Sequence, residues 1–484
     1  MKDFEFKQIK TTNNNIPLII NKNDSGLVFI LVLFNVGAVN ENKDNSGISH
    51  FLEHVLFGQT KDYNGDNTPI KFMGNNAIDF NAFTSKENTG FYLHSNKDNI
   101  KDILDVIYQM IVYPRFDNDE IEKERKIVFE EKANMKDDPH DLASERYYQI
   151  LFPDDNLSKS IIGTDKTLNN IDRNKLIDYF DKFYKNSKNI SICLSGDIDD
   201  NIIKLVIDKF INFDNEVINY KKKYLKYKIK YHKIKQSGGA LSTIIPLSIG
   251  AYLFKDILTN NNNEVVVFKD IKLPYHDNIL KEKFEKTTII LNYKCDINDE
   301  YTLDLISNLL TYSLHSILSY KLREQLNLIY GIRSSCSIYI NKGYFSIYTN
   351  TEKIDSLKLI IDTIIDSLND LKDFKINDLK TNEKKDISQQ KINSSKLLIE
   401  NNLLKLQLSH SSLGSYMIRQ FYLYRNRLKS KNVSKFPEEL QIRNVINKFK
   451  TITKQDIIDV SKRTFIPENL CLSTVCSKNF KYKF

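Results

Sequence analysis

The chain has 484 residues, of which 41% are hydrophobic and 27% are charged. This composition is typical of a globular protein with roughly two or three cores, and it excludes a disordered tail, a collagen-like fibre and a disulfide-rich miniprotein. The net charge of +8 is local: residues 221–235 contain eight Lys and no acid, and the 70 basic residues less these eight equal the 62 acidic residues. A charge confined to one stretch argues against dedicated nucleic-acid binding.

The cysteines and the first residues indicate a reducing compartment. The five cysteines are odd in number and lie in mostly apolar, strand-like segments, so we interpret them as free thiols. The first ten residues include Asp3 and Glu5, which is untypical of a secretory or transit peptide. The apolar run over residues 240–254 contains Pro246 and Gly250 and is shorter than the roughly 20 residues that span a bilayer. We therefore expect a cytoplasmic protein without a transmembrane segment; a peripheral membrane contact of this run is the alternative.

Hydrophobic periodicity predicts a first α+β lobe over residues 1–213. The unbroken apolar run over residues 27–36 predicts a buried strand, and a polar turn then leads into helical spacing over residues 48–57. A helix over residues 102–113 stops at Pro114. Further patterns predict a capped helix over residues 118–135 and a strand over residues 190–194.

Residues 214–285 read as a basic and apolar linker with an insert. Aromatic or aliphatic residues alternate with Lys over residues 220–231, which favours an edge strand with a solvated Lys face. The alternative is a surface on which nucleic-acid bases stack.

A second lobe is predicted over residues 286–484. Residues 287–293 predict a strand, an acidic turn follows, and residues 303–322 predict a helix. This order repeats the opening of the first lobe and hints at an internal duplication.

The strongest chemical signal is the run His50-Phe51-Leu52-Glu53-His54. On a helix the two imidazoles, four residues apart, project from one face about one turn from each other. Such a pair can chelate one metal ion, and Glu53 lies beside it, able to reach a metal-bound water. Because the chain has only eight His, the pattern rarely arises by chance. The alternative is two histidines that only pack on an amphipathic helix.

A catalytic zinc site needs a third protein ligand and one open position. In the capped helix, Glu124 and Glu131 are seven residues apart and share a face, with Ile127 and Val128 between them turned to the core. Glu130 points elsewhere. Spacing alone does not select Glu131, because most helical Glu side chains are solvated.

The run from His50 to His54 is the inverted zinc motif, and with its flanking residues it resembles the pitrilysin/insulinase family of metallopeptidases. Three further segments match in the same order along the chain. Residues 81–92 resemble the family's substrate-binding edge strand, residues 124–131 its downstream glutamate helix, and residues 322–331 its second-lobe Arg and Tyr pair.

The resemblance implies the role of each matching residue. One zinc ion per chain would be held by His50, His54 and Glu131, with Glu53 as general base. Glu124 would support the ligands, and Arg323 and Tyr330 would hold the substrate backbone or the oxyanion. The implied substrate strand consists of Asn81, Ala82, Phe83 and Thr84.

The resemblance also implies an architecture and an activity. Each of the two lobes would be an α+β unit with an antiparallel sheet flanked by helices, as in two-lobe subunits of the mitochondrial-processing-peptidase type. Since the family's chamber takes four such lobes, we expect a homodimer or a heterodimer with a related chain. The expected activity is zinc-dependent endopeptidase cleavage of peptides or unfolded polypeptide segments. The alternative is a catalytically silent subunit with a structural or assembly role.

Overall fold

The computed structural model describes residues 3–219, 271–281, 284–377, 379, 383–428, 433 and 435–484. The basic stripe over residues 221–235, the alternating segment over residues 220–231 and the apolar run over residues 240–254 lie outside the described residues.

The described chain forms two compact units. The first comprises described residues within 1–131, 159–267 and 414–418, and the second those within 132–158, 268–413 and 419–484. Each unit therefore takes a segment from the other half of the sequence.

The first unit is built on a six-stranded sheet in the order β1-β2-β6-β3-β5-β4. Neighbouring strands are antiparallel except β2 and β6, which are parallel. The predicted antiparallel sheet is confirmed at the other four strand pairs, and β6 enters in parallel beside β2 after a long helical excursion. The strands are β1 Glu5–Lys10, β2 Asn15–Lys22, β3 Leu27–Phe34, β4 Asp79–Thr84, β5 Thr89–Asn96 and β6 Ile190–Gly196.

The core of the first unit surrounds β3. This strand has no polar residue and is buried along almost its whole length, as the apolar run predicts for a central strand covered on both faces. Phe34 packs against Phe91 and Tyr184, and each such aromatic contributes roughly 1.5–3 kcal/mol on burial. The helices that begin in this part of the chain are α1 Ile48–Leu56, α2 Pro69–Asn75, α3 Ile100–Val112, α4 Asn118–Met135, α5 Pro139–Leu151, α6 Asp165–Asn170, α7 Arg173–Phe183 and α8 Asp200–Phe210.

Helix α5 belongs to the second unit although it precedes β6 in the chain. Its Ala143 lies in a buried cluster with Ile290 and Val475. In the opposite sense Gly414 belongs to the first unit, where a Cβ would come within 2.6 Å of a ring carbon of Phe29. A glycine is needed there because the helix backbone lies against the sheet.

The second unit contains a five-stranded sheet in the order β7-β13-β8-β10-β9. If β1 is left out, the first sheet, β2-β6-β3-β5-β4, has the same order of strands. In both sheets the strand that comes last in the sequence lies between the first two, and the fourth lies between the second and the third. The parallel pair also recurs, here between β7 and β13. The matching topology supports the predicted duplication. The strands are β7 Tyr275–Leu280, β8 Thr287–Cys295, β9 Ile332–Ile338, β10 Gly343–Thr351 and β13 Leu470–Cys476, and a separate hairpin pairs β11 Lys375–Asn377 with β12 Lys384–Asp386.

The helix predicted over residues 303–322 is broken in the structure. Glu300–Thr311 is helical, and after a turn a new helical segment begins at Ile317. The hydroxyl of Ser316 accepts from the backbone N–H of Ser313 at 2.9 Å and donates to the carbonyl of Asn308, so side-chain hydrogen bonds replace the helical ones. The segment continues as a π-helical turn, Tyr320–Gln325; the later helices are Leu357–Leu371, Gln389–Leu406, His410–Arg427, Ile442–Thr451 and Lys454–Thr464.

All five cysteines carry free thiols, as expected. Within the described part of the chain, no helix is both long enough and apolar enough to cross a bilayer.

Candidate active site

The His and Glu residues of the motif lie on helix α1, whose two faces have different chemistry. Phe51, Leu52 and Leu56 are fully buried in the core, as the spacing i, i+1 and i+5 of an amphipathic helix requires. His50 and Glu53 are 8% exposed on the other face. The helix thus presents its polar groups in a largely desolvated setting.

The structure brings the three predicted ligands together. The Nε2 atoms of His50 and His54 lie 3.5 Å and 3.4 Å from Oε2 of Glu131. The imidazole centroids are 4.8 Å apart. With Zn–N and Zn–O bonds of about 2.1 Å, adjacent corners of a tetrahedron are about 3.4 Å apart. These three residues therefore fit three corners of a zinc site.

Helix α4 supplies Glu131 because its buried residues hold it beside α1. Val128 is fully buried, whereas Ile127, which we expected to face the core, is 38% exposed. The expectation for Ile127 is wrong because only a narrow stripe of this mostly polar helix contacts the core. Arg125 lies 5.1 Å from the ring centre of Phe51 on α1 and donates to the carbonyl of Ile171 at 2.8 Å. An aromatic–guanidinium contact and a hydrogen bond thus fix α4.

The other face-sharing carboxylate, Glu124, lies behind the ligands. Its Oε2 is 3.4 Å from Nδ1 of His54, and its Oε1 is 3.4 Å from Nζ of Lys123. A carboxylate on the second ring nitrogen orients a ligating imidazole and selects its tautomer. Nδ1 of His50 is buried and has no hydrogen-bond partner among the described residues. Glu130 is exposed and takes no part in the cluster.

Glu53 lies between the His pair and strand β4. The hydroxyl of Thr84 donates to Oε2 of Glu53 at 2.6 Å. Burial raises the pKa of Glu53, and the Thr84 hydrogen bond and the neighbouring histidines oppose this effect. Such a shift moves a carboxylate toward the range of a general base. Strand β4, with Asn81, Ala82 and Phe83, is at the edge of the sheet.

Charge in the cluster favours the carboxylate form of Glu131. Hydrogen bonds to His50 and His54 lower its pKa far below the usual value. For His54, burial opposes the charged form, but hydrogen bonds to Glu124 and Glu131 outweigh it and raise the pKa to about 9. A metal ion would therefore compete with a proton on His54.

Arg323 and Tyr330, the other two predicted site residues, belong to the second unit. The Arg323 guanidinium lies 5.3 Å from the ring centre of Tyr330. Tyr330 is 84% exposed, and Arg323 contacts Glu324 at 3.4 Å. Both side chains are accessible to a substrate, and their roles remain predictions.

A second group of acidic and His side chains, with Asp138, His140 and Asp141, is explained without a metal. The side chain of Asp138 accepts from the backbone N–H groups of His140 and Asp141 at 2.8 Å and 3.0 Å. It is therefore the N-cap of α5.

Sequence reasoning missed Glu41, which hydrogen-bonds the start of α1. The sequence did contain a signal: the predicted helix starts after Gly47, which has no side chain to cap it, and an acidic residue, Glu41, lies six residues earlier.

The fold and the site define a class: a two-lobe α+β protein with an inverted His-x-x-Glu-His metal motif on one lobe. Family models agree. The family described as Insulinase (Peptidase family M16) matches residues 18–165, and the domain described as Peptidase M16 inactive domain matches residues 249–387.

Individual relatives extend the match over nearly the whole chain. A Rickettsia felis protein named an uncharacterized zinc protease is 25% identical over 467 residues, 95% of each chain. The beta subunit of the mitochondrial-processing peptidase of Saccharomyces cerevisiae is 30% identical over 159 residues, 32% of this chain and 34% of its own. The crystal structure of a protease from Helicobacter pylori has the same fold, with a TM-score of 0.76 and 17% identity over 98% of this chain and 100% of its own.

The chain belongs to the pitrilysin/insulinase family, peptidase family M16.

Proposed function

We propose that this chain is a zinc-dependent endopeptidase that hydrolyses peptides or unfolded polypeptide segments. The observation that carries the proposal is the position of Glu131 Oε2, 3.5 Å from His50 Nε2 and 3.4 Å from His54 Nε2, in a group whose possible ligand atoms all lie within 4.8 Å of one another. Relatives named zinc proteases support the class of reaction.

The chemistry follows from the residue types. His50, His54 and Glu131 would hold the zinc ion, which would supply Lewis acidity to lower the pKa of water and polarise a carbonyl group. Glu53 accepts the proton of the attacking water and returns it to the leaving amine. Its burial suits this exchange, because a raised pKa makes the carboxylate a better base.

The edge strand β4 suits an extended substrate. A peptide that adds as a further strand beside Asn81, Ala82, Phe83 and Thr84 would gain main-chain hydrogen bonds with little demand on its side chains. Thr84 also holds Glu53 through its hydroxyl, so a peptide bound at this edge would lie next to the general base.

Arg323 and Tyr330 would bind the substrate backbone or stabilise the oxyanion, as donors aimed at developing negative charge do. We propose that they act in a dimer, at the zinc site of the partner chain. One relative is named as the beta subunit of a processing peptidase, which supports assembly with a second chain, either identical or related. The free thiols support a cytoplasmic location.

Metal analysis and peptide cleavage test the proposal against a catalytically silent subunit. The purified chain is expected to bind one zinc ion and to cleave an unfolded protein. Glu53→Gln should lower turnover by roughly 100- to 10,000-fold while zinc stays bound, since general-base catalysis contributes on this scale. A chain that binds no zinc would favour the silent subunit.

A matched pair of variants tests the third ligand. Glu131→Gln should weaken zinc binding strongly, because it removes a ligand charge, whereas Glu130→Gln, on an exposed neighbour, should change little. If Glu130 is the essential residue, the assigned ligand set is wrong.

A further inference from the structure

The start of helix α1 is capped from outside the helix. Oε2 of Glu41 accepts from the backbone N–H of Gly47 at 2.7 Å, and Oε1 accepts from the N–H of Ser49 at 2.9 Å. The first N–H groups of a helix lack partners within it, and a side chain at the N-cap position usually supplies one. Here one remote carboxylate satisfies two of them.

The N-cap position itself cannot carry a side chain. Gly47 has a φ of +91°, and a Cβ there would lie 2.6 Å from the carbonyl oxygen of Ile162 and 2.8 Å from Cα of Gly163. Ser, Thr or Asp, the usual capping residues, would therefore clash with backbone atoms. The close packing of residues 162–163 on the helix start leaves the cap to a residue outside it.

Glu41 is held firmly in this position. It is 4% exposed, and Nζ of Lys159 donates to its carbonyl oxygen. The turn before it is fixed by hydrogen bonds from Ala38 N–H to Ser85 O at 3.2 Å and from Val39 N–H to Lys86 O at 2.8 Å. Residues 85–86 directly follow the edge strand that carries Thr84. The same segment of the chain thus holds both the turn before Glu41 and the Thr84 side chain that binds Glu53.

Comparison with a neighbouring helix separates stability from positioning. Helix α7 is capped by Asp172, whose exposed carboxylate accepts from the N–H of Lys175 at 2.8 Å. An exposed cap stabilises a helix without burying a charge, whereas burial raises the pKa of Glu41 to about 7. Burying the capping carboxylate costs more free energy than exposing it. This buried cap occurs at α1, where it accepts from the N–H of Ser49, the residue directly before His50.

We propose that Glu41 is a positioning residue that fixes the first turn of α1 and thereby holds the His50 imidazole in the geometry that zinc requires. The inference rests on the proposed zinc site. Metal–ligand distances tolerate deviations of only about 0.2 Å, so a small displacement of this turn is enough to weaken binding.

The test compares Glu41→Gln with Asp172→Asn. Gln keeps the shape of Glu, but its amide turns a donor toward one of the two N–H groups. We expect zinc affinity, measured by competition with a chromophoric chelator, to fall by roughly 10- to 100-fold, the usual effect of residues that support metal ligands. Asp172→Asn keeps an accepting oxygen at the cap, so it should change Tm little and leave zinc affinity unchanged. In peptide cleavage at saturating zinc, Glu41→Gln should lower kcat with KM unchanged.

Two outcomes would overturn the inference: a folded Glu41→Gln variant with wild-type zinc affinity, or an equal loss of affinity in Asp172→Asn. If Glu41→Gln does not fold, Glu41→Asp, which keeps the charge on a shorter side chain, takes its place and should give an intermediate affinity. A wild-type chain that binds no zinc would instead refute the proposed function, whatever the variants do.

Discussion

Apart from β1, the two units share one strand order, but they differ at the helix that follows β3 in the first unit and β8 in the second. In the first unit this helix is α1, which carries His50, Glu53 and His54. In the second it is Glu300–Thr311, which has no His and buries Leu303, Ile306 and Leu310. The shared topology therefore provides a scaffold, and a few side chains decide whether a metal site is built on it.

In both units this helix hydrogen-bonds to the edge strand of its sheet, but the side chains that make the contact differ. In the first, Thr84 on β4 donates to the Glu53 carboxylate at 2.6 Å. In the second, Ser307 donates to the Ser334 carbonyl on β9 at 2.7 Å, and the Thr311 and Ser334 hydroxyls lie 2.8 Å apart. In the second unit this contact only ties the helix to the strand, whereas in the first it holds the proposed general base, Glu53.

The largest expected effect concerns which unit binds the metal. His50→Ala should reduce bound zinc from one ion per chain to none, because the described helix Glu300–Thr311 offers no replacement imidazole. Elemental analysis of the purified variant measures this. Zinc that persists at one ion per chain would locate a metal site in the second unit and break the comparison.

The second unit is expected to contribute to catalysis without binding metal. Arg323→Ala should lower kcat/KM by about 100-fold, the effect of losing one donor to an oxyanion. Zinc content should be unchanged. Arg333→Ala, which alters an exposed Arg on β9 of the same unit, is the control and should have little effect. Equal activities of the two variants would remove Arg323 from the mechanism.

A smaller effect is expected at the contact between helix and edge strand. Thr84→Val keeps the shape of the side chain but removes the hydrogen bond to Glu53, and a bond to a charged group is worth roughly 1.5–3 kcal/mol. We expect a fall in kcat of at least about tenfold and a lower Tm, with zinc content preserved. Thr84→Ser restores the hydroxyl and should recover most of the activity; an inactive Ser variant would show that the methyl group matters more.

The smallest expected effect is the change with pH in the free energy of unfolding that His276 of the second unit contributes. Burial lowers the pKa of His276 to about 4, and its ring hydrogen-bonds Thr474 at 2.8 Å and the Tyr482 N–H at 2.9 Å. Between pH 6.5 and 4 the unfolded chain binds the extra proton, so the free energy of unfolding should fall as the pH is lowered. Because the ring is partly exposed, the change should be a fraction of about 3 kcal/mol.

Urea unfolding at several pH values measures this slope. In His276→Gln the contribution should be absent. A variant with the wild-type slope would assign the acid sensitivity to other groups.

Periodicity predicted most of the elements around the site. The buried strand was predicted over residues 27–36 and ends at Phe34, and the helix over residues 118–135 matches α4. It failed where side chains compete with the helical backbone, as at Ser313 and Ser316. It also missed the parallel pair β2 and β6, because the order of strands depends on contacts distant in sequence.

The sequence by itself determined the chemistry of α1, because a four-residue spacing on a helix places two imidazoles on one face whatever surrounds them. It left the third ligand open between carboxylates, and the family resemblance was needed to choose Glu131. Only the tertiary structure decided that Glu131 meets both imidazoles, that Thr84 reaches Glu53 and that Glu41 caps the helix. Each of these contacts joins residues far apart along the chain or in different elements, and packing of those elements, which local patterns do not encode, brings them together.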